Sequence, residues 1–408
     1  MVSKHILVIS QLFYPEEFRI NDICKEWVKR GYQVTVITGI PNYPQGKFYE
    51  GYGLFKKKKE TYQGIEIIRI PLIPRGNNGV MLILNYLSFI ISGFFWQAFT
   101  KIKADEVFIF EVSPMTQALP GVWYAKKKKV PCFIYVQDLW PENVEIISGI
   151  QSKVIMRWIG KMVDYIYKHC THIFTTSKSF IEAIHKRGVS KNKLTFWPQF
   201  AEDFYQPKWP SQVAEIPQDT QAYNVIFTGN IGQAQGLDIL VEVAKKIKGR
   251  TKKEVYFNLV GDGRYKAKLV RLVAENNVSE MFRFISKQPA EKIPEFLGAA
   301  DVAYLGLSSS PLFKMTIPAK LQSYLACGMP ILASASGEVM NIIKSAEVGL
   351  CSEAGDATSL AENLLLMVEK STEDQNRYRE NAIRYNKENF DKHTLLDQMD
   401  LFFNLEGK

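Results

Sequence analysis

The sequence is poor in the residues that build metal sites and disulfide frameworks, with 5 Cys and 5 His among 408 residues. Cys24, Cys132, Cys170, Cys327 and Cys351 are odd in number, scattered, and without CxxC or Cys/His ligand spacing. That pattern excludes a disulfide-stapled scaffold and a zinc module, and it leads us to expect buried free thiols in a reducing compartment. His5, His169, His172, His185 and His393 also lack metal spacing and read as structural. The opening MVSKHILVIS carries no signal-peptide pattern, so a cytoplasmic protein is expected. With 26 Gly and 18 Pro, collagen-like and low-complexity classes are excluded. No aromatic–basic stripe or recognition motif points to nucleic acid, so no nucleic-acid partner is expected.

What is present is a globular composition, 46% hydrophobic, 12% aromatic and 23% charged, long enough for two or three cored domains. The formal charge of +9 is unevenly spread. Residues 1–200 hold 27 Lys and Arg against 15 Asp and Glu, a surplus of 12, whereas residues 201–408 hold 24 against 27. The basic excess therefore belongs to the first half and implies an anionic partner there.

Residues 80–99, VMLILNYLSFIISGFFWQAF, approach the length of a bilayer span but are interrupted by Asn85, Ser88, Ser92, Gly93 and Gln97. Three readings are open: a core helix, an interfacial helix partly in lipid, and a transmembrane span. Tetralysine runs at 56–59 and 126–129 flank this region. Beside an apolar aromatic segment they favour attraction to an anionic membrane surface over two solvated faces.

Short apolar strands are expected at 5–10, 33–38, 66–70, 106–110, 132–136 and 172–176, with helical stretches between several, the first over 20–30. Strand alternating with helix predicts a doubly wound parallel sheet. The stretch 201–221, rich in Pro, Gln and acid, reads as an interdomain linker. The pattern then restarts with strands near 224–228, 255–260, 282–285, 300–305 and 330–333. The expected fold class is thus α/β, two Rossmann-like doubly wound domains facing across a cleft, with ligands at the carboxyl ends of the strands. The expected limits are 1–200 for a first domain, membrane-facing by its basic excess, 201–385 for a second, and 386–408 for a terminal helix crossing back, within a helical stretch that starts at Tyr378.

Two strand-end glycine turns mark the second half: Thr228-Gly229-Asn230-Ile231-Gly232-Gln233-Ala234-Gln235-Gly236 and Gly261-Asp262-Gly263-Arg264. Glycines there let the backbone approach an oxyanion, and a following helix N-terminus adds donors and positive dipole. Neither turn fits G-x-G-x-x-G or a Walker A loop, and ordinary strand-end turns are the plain alternative. A third element, Thr316-Ile317-Pro318-Ala319-Lys320 leading through Ser323 to Gly328, reads as a helix opened by Pro and closed by Gly. Lys320 in its first turn opposes the helix dipole. It makes better sense with an anion beside it, the alternative being a solvated lysine.

YPEEFRINDICKEWVKRGYQVTVITG, YVQDLWPENV, TGNIGQAQGLD, LVGDGRYK and TIPAKLQSYLACGMPIL together resemble, in order and spacing, the family-four retaining glycosyltransferases. The likeness covers essentially the whole chain. It is strongest to the bacterial capsule, O-antigen and exopolysaccharide branch that includes N-acetyl-L-fucosamine transferases. The resemblance implies the GT-B fold, a nucleotide-sugar donor (UDP foremost) on the second domain, and a lipid-linked saccharide acceptor on the first. It further implies retention of configuration and no metal or other cofactor, with an N-acetylated deoxyhexosamine among the donor sugars.

Departures from the family pattern are specific. Asn230 and Gln235 stand where many members carry the Arg and Lys that hold the diphosphate. Met315 and Ser323 stand where two glutamates touch sugar and ribose. Gln137, beside Asp138, occupies the usual histidine position, and Arg19-Ile20-Asn21-Asp22 replaces an N-terminal glycine pair. Either Lys320 and neutral hydrogen-bonding groups replace the lost charges, or the chain is a non-catalytic homologue acting as scaffold or regulator; the kept glycines favour the former.

The catalytic candidates are therefore Asp138, Gln137 and Lys320. Donor candidates are Gly229, Asn230, Gly232, Gln235, Gly261, Asp262, Gly263, Arg264, Thr316, Ile317, Ala319, Lys320, Ser323 and Glu338. Arg19, Asn21 and Glu111 are candidates on the acceptor side. Asp138 could orient an acceptor hydroxyl or cap the next turn, and Glu338 could accept from a ribose or sugar hydroxyl or serve its own helix.

Overall fold

The computed structural model describes residues 4–144 and 152–405. The chain divides into two units, Met1–Trp197 with Asp397–Lys408, and Pro198–Leu396. The first unit runs β1 (His5–Ile9), α1 (Arg19–Lys29), β2 (Gln33–Thr38), β3 (Lys59–Tyr62), β4 (Ile65–Arg69), α2 (Gly79–Phe99), β5 (Glu106–Glu111), α3 (Leu119–Lys128), β6 (Cys132–Val136), α4 (Lys153–His169), β7 (His172–Thr175), α5 (Lys178–Lys186) and β8 (Leu194–Phe196). Its strands order as β3-β4-β2-β1-β5-β6-β7-β8, all parallel except β3. HILVI, CFIYV and the apolar centre of β5 are nearly continuous apolar runs because a parallel sheet is covered on both faces.

Right-handed crossovers place α2, α3, α4 and α5 on one face of this sheet and α1 on the other. On the α1 face Trp27 packs edge-on against Phe108 at 4.9 Å, and Phe403, near the chain's end, closes the same cluster. The first tetralysine run is more than a charge run, since Lys59 opens the edge strand β3 and pairs with Ile68 near the end of β4. Its sequence, KETY, is polar because one side of an edge strand faces water.

The second unit runs β9 (Ala222–Thr228), α6 (Ile239–Ile247), β10 (Glu254–Val260), α7 (Lys266–Glu275), β11 (Phe282–Ile285), α8 (Ile293–Gly298), β12 (Val302–Gly306), α9 (Pro311–Lys314), α10 (Ala319–Ala326), β13 (Ile331–Ser334), α11 (Glu338–Ala346), β14 (Gly349–Ser352), α12 (Ala357–Glu369) and α13 (Thr372–Asn389), and α14 (Lys392–Leu405) begins in it and ends in the first unit. Its parallel sheet has the order β11-β10-β9-β12-β13-β14. Both units are Rossmann-like, as the strand–helix alternation predicts.

Two expected boundaries are corrected. The stretch 201–221 is no free linker: Ser211 N–H donates to Gly298 O at 3.0 Å, Gln218 Nε2 to Ala299 O at 3.1 Å, and Asn224 Nδ2 to Pro217 O at 2.7 Å. Gly298 and Ala299 are distant in sequence, so local composition did not reveal them. At the other end, the helical stretch from Tyr378 is two helices broken at Phe390. The return to the first unit begins at Asp397 rather than 386, and residues 406–408 lie outside the described part.

Candidate functional site

The strand-end turns of the second unit meet backbone to backbone. Gly229 N–H donates to Val260 O at 2.9 Å and Ile231 N–H to Asp262 O at 2.8 Å. A Cβ on Gly261 would lie 1.9 Å from Gly229 O, and one on Gly263 would lie 2.3 Å from Ile231 O. No residue but glycine fits either place, which explains both glycine turns at once. Gly229 (φ +119°) is exposed, so the floor they form is open.

Helix α10 is fastened to the same floor. Tyr324 is fully buried, and its hydroxyl accepts from the Thr228 N–H at 3.0 Å, at the last residue of β9. Lys320, one turn earlier, is half-buried. Its Nζ lies 3.9 Å from the centroid of the Phe227 ring, and a Cβ on Gly229 would stand 2.8 Å from its Cε. Among the described residues it has neither a hydrogen bond nor an ion pair. Burial lowers its pKa from 10.5 to about 7, while the ring beneath favours the charged form. The result is a near-neutral-pH ammonium beside an exposed glycine turn and a helix N-terminus, a seat chemically suited to a diphosphate.

The other donor candidates divide. Asn230, Asp262 and Arg264 are exposed on the two turns, and the Gln235 side-chain oxygen is buried without a partner. Gly232 opens the short turn 233–236, which β12 holds through Ser308 N–H to Ala234 O at 2.9 Å. Ala319 is half-buried at the start of α10, and Ile317 is packed in the core. Two hydroxyls expected to face the ligand are spent on their own backbone: Thr316 Oγ1 donates to Leu312 O at 2.9 Å and Ser323 Oγ to Ala319 O at 3.3 Å. Back-bonding of this kind is ordinary for Ser and Thr in helical turns. Glu338 opens α11 behind Gly337, where a Cβ would lie 2.0 Å from Lys314 O, so this turn packs on α9.

In the first unit the end of β5 meets the loop after β6. Glu111 is fully buried; its carboxylate accepts from the Asp138 N–H at 3.4 Å, and its second oxygen has no partner. Burial, assisted by the nearby Asp138 charge, pushes its pKa well above the usual carboxylate value. Asp138 itself accepts from the Ser113 N–H at 2.7 Å, and the Ser113 hydroxyl accepts from Trp140 Nε1 and Asn143 Nδ2. Asp138 thus holds the loop after β5. Gln137 extends β6 by donating its N–H to Glu111 O at 2.8 Å. Arg19 opens α1, and Asn21 Nδ2 donates to Glu16 O at 2.7 Å.

The comparisons with known proteins agree with this arrangement. Residues 17–202 match the family described as Glycosyltransferase Family 4, and residues 210–385 match Glycosyl transferases group 1, one on each unit. The chain belongs to the GT-B glycosyltransferases. It is 25% identical over 341 residues to a protein of Escherichia coli K12 named as a colanic acid biosynthesis glycosyl transferase, WcaI, covering 79% of this chain and 81% of that one. Among solved structures, sucrose-phosphate synthase from Thermosynechococcus elongatus superposes with a TM-score of 0.75 at 17% identity, covering 98% of both chains. HepE of Anabaena, in complex with UDP, superposes with a TM-score of 0.70 at 14% identity, covering 99% and 100%.

Some residues of the glycosyltransferase's site were not legible in the sequence. Nothing in the sequence singles out Tyr324, and only the fold shows its hydroxyl tying α10 to β9. Glu16 is buried and accepts from the Asn42 and Tyr43 N–H groups at 2.8 and 2.7 Å, clamping the loops after β1 and β2 together. Burial raises its pKa to about 6. Its presence in YPEE was visible, but its partners lie a strand away.

Proposed function

We propose that this glycosyltransferase moves a sugar from UDP to a lipid-linked saccharide, with retention of configuration and without a metal, at the cytoplasmic face of the membrane during surface-polysaccharide assembly. The observation that carries the reading is Lys320, an ammonium without an anionic partner beside Gly229 and the first turn of α10. Support also comes from WcaI, named for colanic acid biosynthesis, and from HepE, solved with UDP.

On this reading the second unit binds the donor. Glycosidic bond cleavage builds charge on the diphosphate, and the N-terminus of α10 and Lys320, beside the open Gly229 turn, supply positive charge where it develops. The Asn230 and Gln235 amides replace charged contacts with neutral hydrogen bonds. Acceptor binding is assigned to the first unit, where Asp138 orients the incoming hydroxyl, buttressed by neutral Glu111, and Arg19 and Asn21 open the neighbouring loop. Positioning and charge stabilisation together supply the catalysis.

A calorimetric and turnover screen of UDP-, GDP- and dTDP-sugars tests the proposal, with an N-acetylated deoxyhexosamine donor tried first. Binding of UDP and its loss in Lys320→Ala are expected, with product NMR showing the donor's anomeric configuration. If no donor binds or is hydrolysed, the chain is a non-catalytic homologue.

A further inference from the structure

Helix α2 turns its polar residues inward and its apolar ones out. Asn85 and Gln97 are 2% and 8% exposed, and with Phe89 and Gly93 they form an inward stripe at four-residue spacing. Gln11 Nε2 donates to Asn85 Oδ1 at 2.7 Å, Asn85 Nδ2 donates to Ile73 O at 2.6 Å, and Ile73 N–H donates to the Ser88 hydroxyl at 2.9 Å. A Cβ on Gly93 would lie 2.2 Å from Pro120, so α2 sits directly on α3. Outward face Val80, Ile83, Leu87, Ile91, Phe95 and Phe99; Ile91 is 58% exposed and Phe95 56%. A ridge of 21 residues, about 30 Å long, is more apolar surface than a monomer in water ordinarily leaves open. The core-helix reading of this segment is therefore overturned.

Charge at the C-terminal end of the ridge, and on the edge strand β3, identifies what covers it. Lys127 Nζ donates to Ala98 O, so the run 126–129 crowns the C-terminal end of α2, where Lys101 and Lys103 are also exposed. The run 56–59 leads into the edge strand β3, where Lys59 pairs with Ile68 near the end of β4, the strand that precedes α2 in the chain. Exposed Phe55 accompanies it, with Lys58 5.2 Å from its ring. On the same face of the sheet α4 exposes Val154, Ile155 and Trp158. A second copy seated on the ridge would leave these exposed lysines without counter-charge, whereas an anionic bilayer accepts ridge and lysines together. A transmembrane path would strip Asn85 and Gln97 of the packing and hydrogen bonds that face them.

We propose that α2 is a monotopic dock lying in the plane of an anionic bilayer. Its outer ridge sits among the acyl chains, its two lysine clusters lie on headgroups, and its inner face holds the loop after β1. The inference takes from the preceding reading only that the acceptor is lipid-linked. Through Asn85 and Gln11 it sets the acceptor-side loops at the surface where such an acceptor resides.

Flotation of the full chain with phosphatidylcholine vesicles, with and without a quarter phosphatidylglycerol, tests it, with UDP calorimetry run in parallel. The chain should float with the anionic vesicles and far less with neutral ones. Leu87→Ser/Ile91→Ser/Phe95→Ser should lose roughly tenfold in partitioning, and glutamine at Lys126, Lys128 and Lys129 should lower binding to anionic vesicles alone. Unchanged UDP affinity and circular dichroism would show that these variants are folded. Equal binding to both vesicles, binding to neither, or a wild-type dimer in sedimentation that the triple variant abolishes would overturn the proposal. Absence of UDP binding in the wild type would instead sink the donor reading and leave the vesicle result standing.

Discussion

The Lys320 side chain lies against Gly229 so closely that a methyl group on that glycine would stand 2.8 Å from Cε and 3.5 Å from Nζ. The ammonium and the open backbone of the first strand-end turn are thus one surface, contributed by two segments far apart in the chain. Gly229→Ala is expected to displace Lys320 and strain a φ of +119°, weakening UDP binding at least about tenfold in calorimetry. An unchanged affinity would remove this turn from the donor site.

Lys320 also predicts a pH dependence. Its pKa falls from 10.5 to about 7, so the free protein loses the cation as pH rises through 7, and UDP affinity should fall from pH 6 to pH 9 with proton uptake on binding. Between about 7 and 10.5 the unfolded chain holds a proton that the folded chain has released, so stability rises with pH across that window. Lys320→Arg should bind UDP with a flatter profile. Lys320→Ala should lose about 1.5–3 kcal/mol of binding, the range for a charge-assisted hydrogen bond, with no loss of melting temperature.

Tyr324→Phe removes the acceptor for the buried Thr228 N–H. An unpaired buried donor costs about 1–3 kcal/mol, so chemical denaturation should show a loss of that order. UDP affinity should fall with it, because α10 loses its tie to β9.

Burial and the Asp138 charge push the Glu111 pKa well up, towards the neutral form that Glu111→Gln matches in shape. Thermal unfolding at pH 7 should change little, whereas Glu111→Ala, which opens a cavity, should destabilise by about 2 kcal/mol or more. A large loss in the Gln variant would show that the carboxylate is ionised.

Gly93→Leu tests the docking of α2. The added side chain meets the Pro120 ring, and overpacking of this kind costs about 1–3 kcal/mol. Protection of the Gln11–Asn85 contact in hydrogen exchange should drop, while UDP binding by the second unit stays the same.

Legibility followed the range of the forces involved. HILVI, CFIYV and AYNVIFT were readable as buried parallel strands because burial on both faces leaves an unbroken apolar run. The edge strand KETY was not, since half of it faces water and its lysine looked like part of a charge run. Gly261 and Gly263 were readable as turn glycines, but the carbonyls that forbid a side chain there, on Gly229 and Ile231, lie on another loop. Ser323 and Thr316 were singled out by position, and their hydroxyls proved to be engaged by the nearest carbonyl.

The sequence by itself determined two strand–helix halves, the glycine turns, a lysine at a helix start and a basic first half, because each depends on neighbours within a few residues or on bare composition. Only the tertiary structure decided which way α2 faces. An almost wholly apolar helix has too little periodicity to announce its inner side, and Asn85 and Gln97 turn inward because Gln11, Ile73 and α3 lie there to receive them. Tertiary structure likewise brought Lys320 to Gly229, since Tyr324 and Thr228, whose hydrogen bond holds them together, are 96 residues apart in the sequence.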